Sequence, residues 1–336
     1  MAPSGQQRVA AIDCGTNSLR LLIADIDAGR HQLADVLRRM EIVRLGQGVD
    51  ATGRLAPEAL GRTFAMLEQY AKAIGDSGAE AVRLVATSAT RDASNSEEFT
   101  NGVRRILGID PEVISGAEEA YLSFRGATAE LGPPSELGLA GPVAGPEPPF
   151  LVVDIGGGST EFVFGAAGAD RDELAALSVN IGCVRLTERH LRDDPPTREQ
   201  IAAATADIDA ALRTVAQFVP ADQARTLVGL AGSVTTVTAL ALRLPEYDPA
   251  AIHHARISAA RVHEVTSGLL AMNRAQRAAN PAVHPGRVDV IGAGALILDR
   301  ATTRFGFGEV VASEHDILDG IAWSLVTEAA SHPAAS

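Results

Sequence analysis

The sequence predicts an α/β protein built from two similar domains. Short apolar runs alternate with longer stretches in which apolar residues recur at helical spacing, as at residues 57–74. One pattern, a strand, a glycine-containing turn and a second strand, occurs twice, with its turns beginning at Asp13 and, 141 residues later, at Asp154. A repeat at this distance indicates a duplicated domain. The length of 336 residues, with 46% hydrophobic residues, is sufficient for two cores.

Composition excludes several classes of protein. The formal net charge of −13 argues against non-specific nucleic-acid binding, which needs a broadly basic surface. No stretch approaches the roughly 18 apolar residues of a membrane-spanning helix, and residues 1–8 are short and polar. We therefore expect a cytoplasmic protein without a membrane partner. Cys14 and Cys183 are too few for a disulfide framework, which favours free buried thiols.

The turn at residues 154–161 carries the strongest chemical signal. Gly156, Gly157 and Gly158 have no Cβ, so their backbone N–H groups can approach an anion closely, and phosphate fits best. Asp154 and Glu161 would place carboxylates beside it, where a hard cation such as Mg²⁺ is favoured. A Walker loop or dinucleotide fold is a weaker interpretation, because GK[ST] is missing and a strand follows. An ordinary glycine-rich hairpin turn is the alternative.

The first turn, at residues 13–20, has the same pattern. Two such hairpins facing each other across a cleft would hold a phosphate chain from both sides, with the Arg20 guanidinium pointing into the cleft.

The rest of the first domain follows from its apolar patterns. We expect a three-stranded meander ending within residues 31–45, helices at 57–74 and 95–107, and strands at 82–86 and 112–114. Arg91 follows a strand and is either a phosphate contact or the partner of Asp92. Ser115 is predicted to cap a helix. Glu118 and Glu119 either both interact favourably with the helix dipole or, because adjacent residues of a helix point in different directions, one does so while the other acts as a general base.

The second domain begins after a proline- and glycine-rich loop at residues 131–149. Its predicted elements are strands at 174–181 and 226–230, helices at 197–218 and 262–271, and a helix opening after Gly182. A third glycine turn, at 231–236, begins a helix. A last helix at 314–327, capped by Ser313, returns to the first domain. We therefore assign residues 1–128 and 313–330 to one domain and residues 129–312 to the other.

Four further side chains in this part allow two interpretations each. Arg185 is a phosphate contact or, as we favour, a surface residue. Arg287 faces a ligand or pairs with Asp289. His253 and His254 are expected to be solvated loop residues rather than metal ligands, because no Cys or HxxxH partner is near in the sequence.

The motifs at residues 13–20, 87–92, 115–120, 154–161 and 232–236, in this order, resemble those of the exopolyphosphatase/guanosine pentaphosphate phosphatase (Ppx/GppA) family. The most specific element is DIGGGSTE together with an upstream SGxEEA. The resemblance implies duplicated ribonuclease H-like domains of the actin, sugar kinase and Hsp70 superfold around a phosphate-binding cleft. It corresponds to the short two-domain form, without the C-terminal HD-type domain of longer members.

The resemblance also implies roles for individual residues. Glu119 would be the catalytic base, and Arg20 and Arg91 would face the cleft. Arg287 would match a further phosphate-binding arginine of the family, although the residues around it resemble the family less closely. Metal and water would be held by Asp154 and Glu161, with Asp13 as a second candidate. The substrate phosphates would bind Gly15, Thr16, Asn17, Ser18, Gly156, Gly157, Gly158 and Ser159. The family further implies Mg²⁺ (or Mn²⁺) as cofactor and a homodimer.

We therefore expect an exopolyphosphatase that removes the terminal phosphate of inorganic polyphosphate. The nearest alternative is the same chemistry on the 5′ end of guanosine pentaphosphate. Two others are a nucleotide or polyphosphate sensor without turnover and a kinase of the sugar kinase group. The sequence leaves open the chain-length preference, the identity of the divalent ion and the oligomeric state.

Overall fold

The computed structural model describes residues 6–131 and 145–331. The chain forms two compact units, of which unit 1 comprises residues 1–126 and 317–336 and unit 2 comprises residues 127–316. Most of the loop predicted at residues 131–149, namely residues 132–144, lies outside the described residues. Among the described residues, no helix is both long enough and apolar enough to cross a membrane.

Strands and helices alternate along both halves of the chain. The first part contains β1 (Gln7–Cys14), β2 (Ser18–Asp27), β3 (Gln32–Ile42), α1 (Val49–Thr52), α2 (Pro57–Ser77), β4 (Ala81–Ala86), α3 (Ser88–Asp92), α4 (Ser96–Leu107), β5 (Glu112–Val113) and α5 (Gly116–Thr128). The second part contains β6 (Phe150–Ile155), β7 (Thr160–Gly165), β8 (Ala175–Val179), α6 (Cys183–Arg189), α7 (Arg198–Phe218), β9 (Thr226–Leu230), α8 (Ala231–Leu242), α9 (Pro249–Ile252), β10 (Arg256–Ser258), α10 (Ala259–Ala271), α11 (Arg274–Ala278), α12 (Ile291–Phe305), β11 (Glu309–Ala312) and α13 (Ile317–Ser331).

Unit 1 is a five-stranded sheet in the order β3-β2-β1-β4-β5. The first three strands form the predicted antiparallel meander, and β4 and β5 run parallel to β1. Successive residues of a buried strand point to opposite faces, so β1 supplies both cores of the unit. Ala10 and Ile12 pack in the core that contains Leu67 of α2, while Val9 packs in the core that contains Ile321 of α13.

Unit 2 repeats this topology. Its sheet has the order β10-β11-β9-β6-β7-β8, in which β6, β7 and β8 form an antiparallel meander and β9 is parallel to β6. β11 is parallel to β9, and β10 adds an antiparallel edge strand. The strands β8-β7-β6-β9-β11 thus match β3-β2-β1-β4-β5 in order and direction, which confirms the duplicated α/β fold.

The last helix begins later than predicted. It starts at Ile317 rather than at residue 314, and Ser313 does not cap it. The Ser313 hydroxyl instead donates to the carbonyl of His315 and accepts from the His315 N–H group, at 2.7 and 3.0 Å. A short polar side chain that bonds its neighbouring backbone favours a turn over a helix, so the segment 313–316 is a connection.

Candidate active site

The first glycine turn of unit 1 has its carbonyl groups held from one side. The N–H of Gly46 donates to the Thr16 carbonyl at 2.8 Å, and the N–H groups of Val43 and Arg44 donate to the Asn17 carbonyl at 3.1 and 2.8 Å. A Cβ on Gly46 would lie 2.3 Å from Thr16 Cγ2, so glycine is required for this close approach. In a trans peptide the C=O and N–H point in opposite directions. The N–H groups that follow these carbonyls therefore point away from the anchoring segment.

Arg20 contacts Asp13 across this turn. The two residues are direct cross-strand partners in the β1–β2 pair. Arg20 Nε and Nη2 lie 2.9 and 2.7 Å from Asp13 Oδ2, and the Asp13 side chain is only 4% exposed. An arginine thus neutralises the acid near the end of β1.

The second glycine turn, in unit 2, is anchored in the same manner by the start of α6. The Gly156 carbonyl accepts from the N–H of Cys183 at 3.0 Å, and the Gly157 carbonyl accepts from those of Val184 and Arg185 at 2.9 and 3.1 Å. The Gly158 carbonyl accepts from Arg185 Nε at 2.6 Å. Arg185 is therefore a bond donor to the loop backbone rather than the surface residue favoured from the sequence.

The strands that flank this loop bring two acids together. Asp154 and Glu161 are direct cross-strand partners and hence lie on the same face, with 7% and 1% exposure. The corresponding positions of the first hairpin carry Asp13 and Arg20, an acid and a base. Ser178 of β8 donates to Glu161 Oε1 at 2.6 Å and fixes its carboxylate. Two buried carboxylates side by side form a hard oxygen donor set that fits Mg²⁺ or Mn²⁺.

Glu119 and Arg91 meet in unit 1. Glu119 is 8% exposed, and Arg91 Nη1 lies 3.2 Å from its Oε2 while donating to the carbonyl of Ile114 at 2.8 Å. Glu118 has a different partner, since its Oε1 lies 3.7 Å from Arg83 Nη2. Ser115 Oγ accepts from the N–H of Glu118 at 3.2 Å, as expected of a helix cap. The adjacent glutamates thus point in different directions, and Glu119 is the buried, arginine-bound member.

Arg287 lies against the third glycine turn. A Cβ on Gly232, the second residue of α8, would lie 2.0 Å from Arg287 Cζ, so the guanidinium packs directly on the backbone. Its predicted alternative partner, Asp289, forms an ion pair with Arg274 at 3.0 Å. The neighbouring carboxyl of Glu314 accepts from Tyr247 at 2.6 Å, and burial raises the pKa of Glu314.

The two loop histidines are not simply solvated, contrary to our expectation. His253 Nε2 and His315 Nδ1 lie 3.2 and 3.5 Å from Glu130 Oε2, and the His254 ring stacks on His253 at a centroid distance of 3.7 Å. Bonding to His253 holds the pKa of Glu130 below its ordinary value, whereas burial lowers the pKa of His254 to about 4. The partners come from distant parts of the sequence, which is why local spacing did not reveal them.

Glu130, His253 and His315 have the residue types of a metal site, but both ring nitrogens of His253 already take part in hydrogen bonds. The N–H of Glu314 donates to His253 Nδ1 at 3.2 Å, so a neutral His253 ring carries its proton on Nε2 and donates it to Glu130. A nitrogen that binds a metal carries no proton. We therefore interpret the cluster as a network of hydrogen-bonded side chains.

Sequence reasoning missed Ser178 and misassigned Arg185. Ser178 has no motif around it, and only the strand register, in which it opposes Glu161, identifies it. The prediction of two free buried thiols is confirmed, because Cys14 and Cys183 are both buried and unbridged. Burial raises the pKa of both thiols, which disfavours the thiolate, the nucleophilic form.

Comparison with known proteins extends over almost the whole chain. Residues 22–329 match the profile of the Ppx/GppA phosphatase family. A Mycobacterium tuberculosis protein named exopolyphosphatase 2 is 51% identical over 329 residues, which cover 95% of this chain and 98% of the relative.

Two solved structures are also similar to this chain. A crystal structure of an exopolyphosphatase-like protein superposes with a TM-score of 0.88 at 43% identity, covering 96% of this chain and 98% of that one. The Aquifex aeolicus member of the Ppx/GppA family superposes with a TM-score of 0.76 at 31% identity, with the same coverage.

Proposed function

Because the chain belongs to the Ppx/GppA phosphatase family, we propose that it is an exopolyphosphatase, a hydrolase of phosphoanhydride bonds. The reaction converts a polyphosphate of n units and one water into a chain of n − 1 units and orthophosphate. The 51%-identical relative is named for this activity, which favours polyphosphate over guanosine pentaphosphate as substrate. The observation that carries the chemical assignment is the pair Asp154 and Glu161 beside a glycine loop whose carbonyls accept hydrogen bonds from α6.

Phosphoryl transfer depends mainly on positioning and on stabilisation of negative charge. We propose that each glycine turn binds phosphate, which is the role expected for Gly15, Thr16, Asn17, Ser18, Gly156, Gly157, Gly158 and Ser159. The N–H groups of Gly15 and Gly156 close the turns by donating to the Ser18 and Ser159 carbonyls at 3.0 Å, so the N–H groups that follow the anchored carbonyls are the proposed donors to phosphate. Donors from outside the turn hold two carbonyls of the first turn and three of the second. Both arrangements direct consecutive N–H groups to one side, which is the geometry that an anion requires.

Asp154 and Glu161 are the residues that would hold a divalent ion, for which we propose Mg²⁺ or Mn²⁺. Such an ion, when bound, supplies positive charge that offsets the charge of the phosphate oxygens. Asp13 fits this role less well, because its Oδ2 is already engaged by Arg20. We assign Asp13 to the orientation of Arg20, whose guanidinium is suited to binding phosphate oxygens.

Glu119 is proposed as the general base. Its carboxylate would orient the attacking water and accept its proton as the bond to the leaving phosphate breaks. Arg91 fixes the Glu119 carboxylate while it is itself held by the Ile114 carbonyl. This arrangement leaves the base in one orientation, which general base catalysis requires. Arg91 and Arg287 are further candidates for phosphate contacts.

The proposal is tested by orthophosphate release from short and long polyphosphate, with guanosine pentaphosphate and ATP as comparators. We expect release from polyphosphate and a loss of about 10² to 10⁴-fold in kcat for Glu119→Gln, the range typical of a lost general base. Glu118→Gln is the matched control, because Glu118 contacts Arg83 instead. Equal losses in the two variants would reject the assignment of the base. Release from guanosine pentaphosphate alone would reject the substrate, and no release from any compound would favour a sensor.

We propose a cytoplasmic protein and, from the family resemblance alone, a homodimer. The formal net charge of −13 argues against nucleic-acid binding.

A further inference from the structure

Hydrogen-bond donors at the start of α6 bind three consecutive carbonyls of the second glycine loop. The donors to Gly156 and Gly157 are backbone N–H groups of Cys183, Val184 and Arg185. The donor to Gly158 is a side chain, Nε of Arg185, at 2.6 Å. In the first loop the carbonyls of Thr16, Asn17 and Ser18 are held by backbone groups. The second loop therefore has an anchor that a single substitution can remove.

Peptide geometry connects this anchor to the opposite side of the loop. The cis peptide bonds of the described chain precede Pro149 and Pro195, so the loop peptides are trans. The carbonyl of Gly158 and the N–H of Ser159 belong to one such peptide plane and point in opposite directions. When Arg185 holds this carbonyl toward α6, the N–H of Ser159 is directed away from α6. The bonds at Gly156 and Gly157 orient the N–H groups of Gly157 and Gly158 in the same way.

The charge of Arg185 adds to this orientation. A hydrogen bond from a guanidinium is charge-assisted and polarises the peptide group that accepts it. The polarised peptide is a stronger donor at its N–H end, in this case the N–H of Ser159. The positive charge also lies behind a loop that is proposed to bind a polyanion.

We propose that Arg185 is a positioning residue of the phosphate-binding loop, acting on the bound phosphate through the Gly158–Ser159 peptide. The identity of the anion as a polyphosphate end rests on the proposed function. Arg185 thereby differs from Arg20 and Arg91, which are proposed to contact phosphate directly.

Removal of the donor tests this inference. Arg185→Met keeps an apolar stem but removes the donor and the charge, while Arg185→Lys keeps the charge alone. Arg189→Met is the matched control, because Arg189 lies one turn later on α6 and pairs with Asp207 at 3.3 Å. The readouts are tripolyphosphate binding by calorimetry, kcat and KM for polyphosphate, and the thermal midpoint of each variant.

We expect Arg185→Met to weaken tripolyphosphate binding about tenfold and to lower kcat/KM about a hundredfold, the scale for a misplaced transition-state donor. Arg185→Lys should recover part of the binding, and Arg189→Met should match the wild type. Tripolyphosphate affinity of Arg185→Met within twofold of that of Arg189→Met would overturn the inference. The inference would also be overturned if the loss of tripolyphosphate binding were fully explained by the fraction of Arg185→Met protein that is unfolded.

The binding arm separates this inference from the proposed function. If the wild type released no phosphate from any substrate, the proposed function would fail, yet the comparison of tripolyphosphate affinities would still decide the role of Arg185. A wild type that turned over polyphosphate normally while Arg185→Met bound and turned it over equally well would refute the inference alone.

Discussion

The close packing of Gly182 on the glycine loop leads to a quantitative prediction for Gly182→Ala. Gly182 precedes α6 with φ −146° and ψ 161°, an extended conformation that alanine adopts without strain. A Cβ at this position would lie 2.3 Å from the Gly157 oxygen and 2.6 Å from the Gly158 carbonyl carbon. Ordinary contacts begin at 3.4 Å. The loop must therefore retreat from α6 by about 1 Å.

This displacement sets the expected loss. A misplacement of about 1 Å in a positioning group costs on the order of 10²-fold in rate. That factor corresponds to about 2.7 kcal/mol of transition-state stabilisation. The bonds from the N–H groups of Cys183 and Val184 to the loop carbonyls lengthen in the same movement, so the loop loses its orientation as well as its position.

The assay is steady-state phosphate release from polyphosphate at saturating divalent ion. Gly268→Ala is the control, because Gly268 lies within α10 of the same unit and its Cβ would meet nothing within 4 Å. We expect Gly268→Ala to retain full kcat/KM and Gly182→Ala to retain about 1% of it. A folded Gly182→Ala protein with more than half of the wild-type kcat/KM would refute the argument, because the loop would then not depend on its contact with α6.

Two further predictions concern stability. Gly320→Ala places a Cβ 2.0 Å from the backbone oxygen of Leu122 and should destabilise the protein by about 1–3 kcal/mol in chemical denaturation. Gly61→Ala is the control, because its Cβ would lie in open space on α2, and it should stabilise the protein by up to about 1 kcal/mol. Equal changes in the free energy of unfolding for Gly320→Ala and Gly61→Ala would contradict the packing of α13 on α5. The pKa of His254 is about 4 in the folded protein, against an ordinary value of 6.5. Between pH 6.5 and pH 4 the unfolded chain therefore binds a proton at His254 that the folded protein does not bind, so the free energy of unfolding decreases as the pH falls through this range. His254→Asn, which tolerates the positive φ of 61°, should reduce the drop in thermal midpoint between pH 7 and pH 5 by the equivalent of about 1 kcal/mol after a discount for the partial exposure of the ring, whereas an unchanged drop would assign it to groups other than His254.

The elements near the candidate site were predictable because their signals are local. Apolar runs around a glycine turn identify β6 and β7, and Ser115 followed by acids identifies the start of α5. The repeated turn also predicted the duplicated sheet. The strand, turn and cap signals depend on residues within a few positions of one another, and the repeat consists of two such local patterns, so the sequence displays them directly.

The features that the sequence did not reveal depend on contacts between distant residues. Arg185 has an ordinary helical environment in the sequence, and only the folded chain places its Nε on the Gly158 carbonyl. Ser178 becomes relevant through strand register alone. Glu130, His253 and His315 come together because connections that are far apart in the sequence meet in unit 2. Burial and register, rather than residue type, determine what these side chains do.

The discontinuity of unit 1 in the sequence has a consequence for the order in which the protein is made. On the ribosome, all five strands of its sheet emerge early, whereas α13 is translated after the whole of unit 2. Until then Val9, Leu22 and Ile26, which pack against Ile321 and its neighbours, lack their covering helix. A nascent chain that ends before residue 317 therefore exposes an apolar face of this sheet. We expect chaperones to protect that face for most of the time that synthesis takes.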